Sequence, residues 1–162
     1  MYYLNCFFIY SIIGHILESF VYQNGESGIL YGFWTPIYGI GCVLIISCYN
    51  KFLKDKKINK FLKSFYIFLI GALLLAFIEY IGGILIEKLF NVTFWDYSNL
   101  KFNIGKYTSL EMSLVWGLSS LLLIYFVKPV IDKLIKKIPK FFTIGLSILF
   151  CIDVIVTLIS KI

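Results

Sequence analysis

Residues 66–90 read YIFLIGALLLAFIEYIGGILIEKLF, an apolar run whose central part carries a single charged residue, Glu79. A helix needs about 20 apolar residues to cross the hydrocarbon of a bilayer, and this run exceeds that length. Four other runs reach or approach it. The five predicted spans are residues 3–23, 34–50, 66–90, 108–128 and 141–160. We therefore predict an all-α fold: a polytopic membrane bundle of about five transmembrane helices, forming a single membrane domain over residues 1–162.

The composition of the chain supports a membrane protein. Of its 162 residues, 60% are hydrophobic and 19% are aromatic. A soluble core of this size cannot hide so much apolar surface. The first apolar run also lacks the basic start and small-residue cleavage site of a signal peptide, so we expect it to stay in the mature chain.

The basic residues predict the topology. All fifteen are lysines, and eleven of them lie in two connections, residues 51–63 and 128–140. Cytoplasmic loops are enriched in lysine and arginine, which places both connections and the N-terminus in the cytoplasm of a bacterial cell, with the protein in the cell membrane. The net charge of +6 is then explained by topology and by attraction to anionic membrane lipids, and no nucleic-acid partner is predicted.

Both basic connections have apolar residues at helical spacing, around 58–65 and 130–138. This pattern is typical of amphipathic helices that lie on a membrane surface. Two interpretations stay open for them: a docking surface for a separate cytoplasmic ATPase, or a simple lipid-anchored connector. A homo-oligomer is the other assembly that we consider.

Two acidic residues within the apolar runs are followed by similar sequences. Glu18 and Glu79 each precede, by sixteen residues, the tryptophan of a Phe-Trp pair at 33–34 and 94–95. Shifting the sequence against itself by 61 positions superposes Glu18 on Glu79 and the first Phe-Trp pair on the second. This indicates a duplicated two-helix hairpin followed by one more helix, and it predicts that the two carboxylates lie near each other.

A carboxylate at bilayer depth costs about 2.5 to 3.5 kcal/mol on insertion scales, so such residues mark sites or pathways. The predicted topology puts the acidic residues toward the outer leaflet, below two aromatic loops. We therefore predict an outward-opening pocket built on Glu18 and Glu79. Its candidate lining residues are His15, Glu18, Tyr38, Glu79, Trp95, Asp96, Tyr97, Ser98, Asn103, Trp116 and Asp153. For the tryptophans, anchoring at the membrane interface is the simpler alternative.

The chemistry available at this pocket is limited. His15 and Glu18 stand one helical turn apart, as in helical metal sites, but a plain His-Glu hydrogen bond accounts for the same spacing. The four cysteines form no C-x-x-C motif, so neither a zinc site nor a disulfide framework is indicated. We predict no metal, no cofactor and no catalytic residue.

A series of short motifs runs through residues 5–135 in a fixed order. They comprise Tyr10, Ser11, Gly14 and Glu18, residues 28–32 and 36–41, Glu79, residues 94–98 and 103–105, Trp116, Gly117 and Pro129. With these motifs the chain resembles the ABC-transporter type IV permeases, small bacterial membrane proteins also called CmpB-like. His15 departs from the family pattern. The fifth span lies outside the resemblance, so Asp153 receives no role from it.

The resemblance implies a transport role. The chain has no P-loop, because position 100, where its first glycine would precede Gly105 and Lys106, is Leu100. An ATPase would therefore be a separate protein. The leading hypothesis is a permease-like transporter subunit with the pocket on Glu18 and Glu79. The alternatives are a membrane-embedded enzyme or binding protein for a lipid-linked substrate, and a regulatory or scaffold subunit; the enzyme lacks a recognisable catalytic constellation.

Overall fold

The computed structural model of the protein describes residues 1–21 and 28–161. Within these residues, five helical segments are long and apolar enough to cross a membrane. They are Tyr2–Phe20, Pro36–Leu53, Lys60–Phe90, Leu110–Ile135 and Lys140–Lys161. The predicted all-α, multi-pass fold is confirmed. The predicted end of the first span, at residue 23, lies outside the described residues.

Six α-helices, two π-helical turns and two short strands make up the described structure. The helices are α1 (Tyr2–Val21), α2 (Pro36–Cys48), α3 (Lys60–Phe90), α4 (Leu110–Leu122), α5 (Lys128–Ile135) and α6 (Lys140–Lys161). A π-helical turn, Tyr49–Leu53, continues α2, and a second, Leu123–Val127, joins α4 to α5 without a break. Strands β1 (Asn103–Ile104) and β2 (Thr108–Ser109) pair antiparallel between α3 and α4.

Helix boundaries follow local capping chemistry. Asn59 caps α3 by accepting a 2.7 Å hydrogen bond from the Leu62 amide, and Ser109 caps α4 by accepting one from Met112. Asn91 ends α3 in the left-handed conformation, with φ of 53°. Pro36 stands at the first position of α2, where its missing N–H costs no hydrogen bond.

The chain divides into two compact units, Met1–Val43 with Val130–Ile162, and Leu44–Pro129. In the first unit, α1 packs on both α6 and the start of α2. The buried Thr143 hydroxyl donates a 2.6 Å hydrogen bond to the Asn5 side chain, which joins α6 to α1. A Cβ added at Gly39 would come within 2.1 Å of the Ser11 hydroxyl, so only glycine lets α2 approach α1 this closely.

The second unit is built on α3, which packs mainly against α4. A Cβ added at Gly71 would lie 2.1 Å from the Ser120 hydroxyl, and one added at Gly117 would lie 2.6 Å from the Phe68 ring. Small residues at such contacts let membrane helices approach closely, which is their common role in bilayers. Gly71 on α3 and Gly117 on α4 therefore set the distance between these two helices.

The basic connections differ from the prediction. No separate surface helix forms in the first one: α3 begins at Lys60, so residues 60–65 are its opening turns. The prediction of a surface-lying helix over 58–65 is wrong, because Asn59 caps a longer helix there. In the second connection, α5 has the predicted amphipathic character, with Ile131 and Ile135 buried, but it continues directly from α4.

Candidate functional site

Glu79 is buried on α3, with 5% of its surface exposed, and three side chains donate hydrogen bonds to its carboxylate. The Tyr97 hydroxyl lies 2.9 Å from Oε1, while the Trp116 indole and the Thr108 hydroxyl lie 3.1 and 3.3 Å from Oε2. All three donors are uncharged. Among residues 1–21 and 28–161, no lysine or histidine forms an ion pair with Glu79. The carboxylate thus has hydrogen-bond partners but no counter-ion in the part of the chain that the structure describes.

The loop between α3 and α4 positions Tyr97 over Glu79. The Tyr97 amide donates a 2.8 Å hydrogen bond to the Lys106 carbonyl. The pairing of β1 with β2 holds the second half of the loop together. The Asn103 amide group donates to the carbonyls of Ser98 and Leu100 at 2.8 and 2.9 Å. Because the hairpin backbone is held at these points, the Tyr97 phenol is directed to the carboxylate.

Asp96 stands beside this hairpin and is exposed. Its carboxylate accepts hydrogen bonds from the Ser98 hydroxyl and from the Ser98 amide, at 2.8 Å for the amide. These bonds from Ser98 hold the pKa of Asp96 below its ordinary value. Asp96 and Ser98 therefore form a turn within the loop, and their hydrogen bonds do not reach Glu79.

A second carboxylate, Glu87, fastens the same loop to α3. Lys106 Nζ lies 2.6 Å from Glu87 Oε1, and the Tyr107 hydroxyl also hydrogen-bonds to Glu87. The Trp95 indole donates a 3.0 Å hydrogen bond to the Tyr107 carbonyl. Gly83 allows this arrangement, because a Cβ there would lie 2.4 Å from the Tyr107 ring.

Glu18 occupies a comparable position in the other unit. It is half-buried near the end of α1, and the Thr35 hydroxyl donates to its Oε2 at 3.3 Å. The Tyr38 side chain is a second hydrogen-bond partner. Gly14 makes room for the Tyr38 ring, because a Cβ there would come within 2.4 Å of that ring. Glu18 is therefore held by two hydroxyl groups at the start of α2, as Glu79 is by Thr108 just before α4.

His15 and Asp153 both contact the segment that leads into α2. The His15 ring packs edge-on against Phe33, with 5.6 Å between centroids. In the described part of the chain, no group of three or more metal-ligating side chains is found. Asp153 on α6 accepts hydrogen bonds from the amides of Tyr31 and Gly32, at 3.0 and 2.8 Å, and from the Trp34 indole at 2.6 Å. Asp153 is thus an anchor for residues 28–35.

The structure brings only part of the predicted set together. Tyr97 and Trp116 contact Glu79, and Tyr38 contacts Glu18; Trp95, Asp96, Ser98 and Asn103 make their hydrogen bonds inside the α3–α4 loop. Since Glu18 and Glu79 belong to different units, a shared pocket stays a prediction.

Sequence reasoning missed five residues around Glu18, Glu79 and Glu87. They are Thr35, Glu87, Lys106, Tyr107 and Thr108. Glu87 had a usable signal, since it lies about two turns after Glu79 on α3. The threonines had one as well, because each stands just before the helix that follows its glutamate.

The two Phe-Trp pairs are not structural equivalents. The Trp34 indole donates to Asp153, whereas the Trp95 indole donates to the Tyr107 carbonyl, and neither donates to the glutamate sixteen residues before it. Thr35 and Thr108 are the matching elements of the two hairpins, since each donates to the glutamate of its own hairpin at 3.3 Å.

Comparison with known proteins decides the family. The family model described as "Putative ABC-transporter type IV" matches residues 5–158. The chain belongs to this family. The match to the ABC-transporter type IV family includes most of α6, so the expectation that the fifth span and Asp153 lie outside the resemblance is wrong. A search of curated proteins and a search of solved structures gave no match.

Proposed function

We propose that the protein is the permease subunit of an ABC-type transporter and that Glu18 and Glu79 are its solute-binding groups. The observation that carries this proposal is the buried Glu79 carboxylate, held in a membrane-length helix by three uncharged donors. Acidic residues at such depth usually mark a pathway or a site. A carboxylate without a counter-ion favours a solute that brings a positive charge or several hydroxyl groups.

Solute binding at Glu79 would proceed by donor exchange. The hydroxyls of Tyr97 and Thr108 can each give up their hydrogen bond to an incoming ammonium or hydroxyl group. An ammonium group adds a full positive charge to its hydrogen bond with the carboxylate, which the uncharged Tyr97 and Thr108 hydroxyls do not, so a cationic solute competes well with these donors. Trp116, on α4, would keep the carboxylate oriented during the exchange.

Glu18 would act in the same way with Thr35 and Tyr38. In the proposed topology the N-terminus is cytoplasmic, so the loops after α1 and α3 face outward and both carboxylates are reached from outside the cell. The proposed location is the cell membrane of a bacterium. An outer-leaflet pocket built on Glu18 and Glu79 completes the proposal.

Energy for transport would come from a separate cytoplasmic ATPase, because the sequence contains no P-loop. The exposed lysines of the 128–140 segment, including Lys133 and Lys136, offer a basic docking surface beside α5. Five helices of one chain would make only a narrow path, so we include a homo-oligomer in the proposal.

The test is a thermal-stability screen of the purified protein in detergent with divalent cations, amines and polyols. A solute that binds the folded state raises the melting temperature. We expect such a solute to stabilise the wild-type protein and Glu87→Gln but not Glu79→Gln. Glu87→Gln is the matched control, because Glu87 lies on the same helix and already has Lys106 as its partner. An equal shift in Glu79→Gln would contradict the proposal.

A scaffold or regulatory subunit is the second candidate, and one observation favours it. The three donors already satisfy most of the Glu79 hydrogen-bonding capacity, as expected for a structural tie between α3 and α4. In that case Glu79→Gln lowers the melting temperature and no solute in the screen raises it in any variant.

A further inference from the structure

An apolar groove of about 340 Å³ runs along the surface of α6 in the first unit. It is bounded by the start of α1 on one side, with Leu4 at that edge. The α6 residues that line it are Thr143, Ile144, Ser147, Ile148, Cys151, Ile152 and Ile155. The small side chains form the floor, since Thr143, Ser147 and Cys151 follow one another at four-residue spacing.

The polar atoms of the floor are already satisfied. The Thr143 hydroxyl donates to Asn5, and the Ser147 hydroxyl donates a 2.8 Å hydrogen bond to the Thr143 carbonyl. A ligand therefore meets hydrocarbon along the groove, and the isoleucines at its rim are half-exposed, as in Ile148 at 57%. Such a surface suits a flexible apolar chain that needs no hydrogen bonds.

The length of the groove matches one lipid leaflet. From Thr143 to Ile155 the helix rises about 18 Å at 1.5 Å per residue. Half of a bilayer's hydrocarbon core is about 15 Å thick. An acyl chain that starts at the Thr143 end would thus fill the groove over nearly all of its length.

Positive charge is concentrated at that same end. Lys140 begins α6 one turn before Ile144, and Lys136 and Lys137 stand in the turn that precedes it. All three side chains are exposed. A phosphate group at the mouth of the groove would therefore meet at least one lysine, and the adjacent N-terminus of α6 adds a favourable dipole.

We infer that this groove binds one anionic phospholipid, with an acyl chain along α6 and the phosphate at Lys140. A second copy of the chain fits less well. Copies in one membrane share their orientation, so a two-fold contact through this groove would bring the Lys136, Lys137 and Lys140 clusters of both copies together. Repulsion between like charges opposes that contact, whereas an anionic headgroup is attracted.

The experiment is native mass spectrometry of the delipidated protein with equal amounts of phosphatidylglycerol and phosphatidylcholine of identical acyl chains. We expect wild-type protein to retain phosphatidylglycerol preferentially. Lys140→Gln should lower that retention about fivefold, since one lysine near an anionic surface has an effect of this size. Ser147→Phe, which fills the groove, should lower the retention of both lipids.

Leu149→Phe is the matched control, because Leu149 is 56% exposed on α6 but does not line the groove. It should retain lipid as wild type does, and circular dichroism should show the same helix content in all variants. Equal retention of the two lipids by wild type, or unchanged retention in Lys140→Gln, would overturn the inference. So would loss of a dimer in Ser147→Phe with lipid retention intact, which would assign the groove to a second copy. Lys140→Gln keeps the test decisive if Ser147→Phe does not fold, because Lys140 is exposed.

Discussion

The Tyr97 hydroxyl and the Glu79 carboxylate are joined by a 2.9 Å hydrogen bond across the connection between α3 and α4. The Tyr97 backbone is held by the Lys106 carbonyl, so the bond from the phenol to Glu79 also fastens the hairpin to α3. The order of the α3–α4 loop and the hydrogen bonding of the Glu79 carboxylate are therefore coupled. A ligand that takes the place of Tyr97 should loosen the loop.

Tyr97→Phe removes one donor from Glu79 and leaves the ring in place. We expect the free energy of unfolding to fall by about 1.5 to 3 kcal/mol, the range for a hydrogen bond to a charged group. Chemical unfolding of the purified protein in detergent measures it. Tyr66→Phe is the control, since Tyr66 is 40% exposed on α3, the helix that carries Glu79. Equal stability of the two variants would show that the Tyr97 bond contributes nothing.

Gly71→Ala and Gly145→Ala test close helix packing. A methyl group at Gly71 would lie 2.1 Å from the Ser120 hydroxyl, whereas nothing lies within 4 Å of the corresponding position at Gly145. Overpacking typically costs about 1 to 3 kcal/mol, so Gly71→Ala should lower the melting temperature. Gly145→Ala should leave it unchanged or raise it, because alanine favours a helix by about 1 kcal/mol over glycine. The reverse order would contradict the α3–α4 contact.

Asp153→Asn tests the anchor of the 28–35 segment. The Tyr31 amide donates to Oδ1, whereas the Gly32 amide and the Trp34 indole donate to Oδ2, so the NH₂ group of asparagine leaves a donor unpaired whichever oxygen it replaces. An unpaired donor costs about 1 to 3 kcal/mol, so the Tyr31 amide or the Gly32 amide should exchange hydrogen roughly tenfold faster. Asp132→Asn, at a carboxylate bound by Tyr2, serves as the control. Unchanged exchange at both Tyr31 and Gly32 in Asp153→Asn would remove the anchoring role.

Lys106→Met breaks the ion pair with Glu87. Both side chains are about one-third exposed, at 33% and 34%, so solvent screens the pair. The expected loss of stability is only about 0.2 to 1 kcal/mol, and it should shrink at high salt. Unfolding curves at low and high ionic strength provide the measurement. A loss as large as that of Tyr97→Phe, or one insensitive to salt, would mean that the pair is not screened as its exposure indicates.

The Asp96 turn should respond to acid. Hydrogen bonds from Ser98 lower the pKa of Asp96 in the folded protein, so the ionised group stabilises the turn. This contribution is fully present above the unfolded value of about 3.9 and is lost as the pH falls through the lower folded value. The protection of the Ser98 amide against hydrogen exchange should therefore fall as the pH drops through the pKa of Asp96. Asp96→Asn should not show it, and an identical pH profile in both proteins would exclude Asp96 as its source.

The spans were predictable because apolar length alone identifies a membrane helix, and the run that contains Glu79 needed nothing else. The clusters were only partly predictable. Tyr97 and Trp116 were predicted to line the pocket, but Thr108 was not. Its position just before α4 was its one sequence signal, and that position does not by itself indicate a contact with Glu79. The 61-residue shift pairs Trp34 with Trp95, but their indoles have different hydrogen-bond partners because the loops before α2 and α4 differ in length. Local sequence also carried no sign of the π-helical turns.

The three donors to Glu79 all lie later in the chain than Glu79 itself. Tyr97, Thr108 and Trp116 follow it by eighteen to thirty-seven residues, so α3 is made before the residues that donate to its carboxylate. The apolar length of α3 must offset the cost of the buried carboxylate until α4 packs against it. Asp153 is in the opposite situation, since Tyr31, Gly32 and Trp34 precede it. The first acid thus makes α3 and α4 dependent on each other during assembly, and the second joins a site whose partners have already been made.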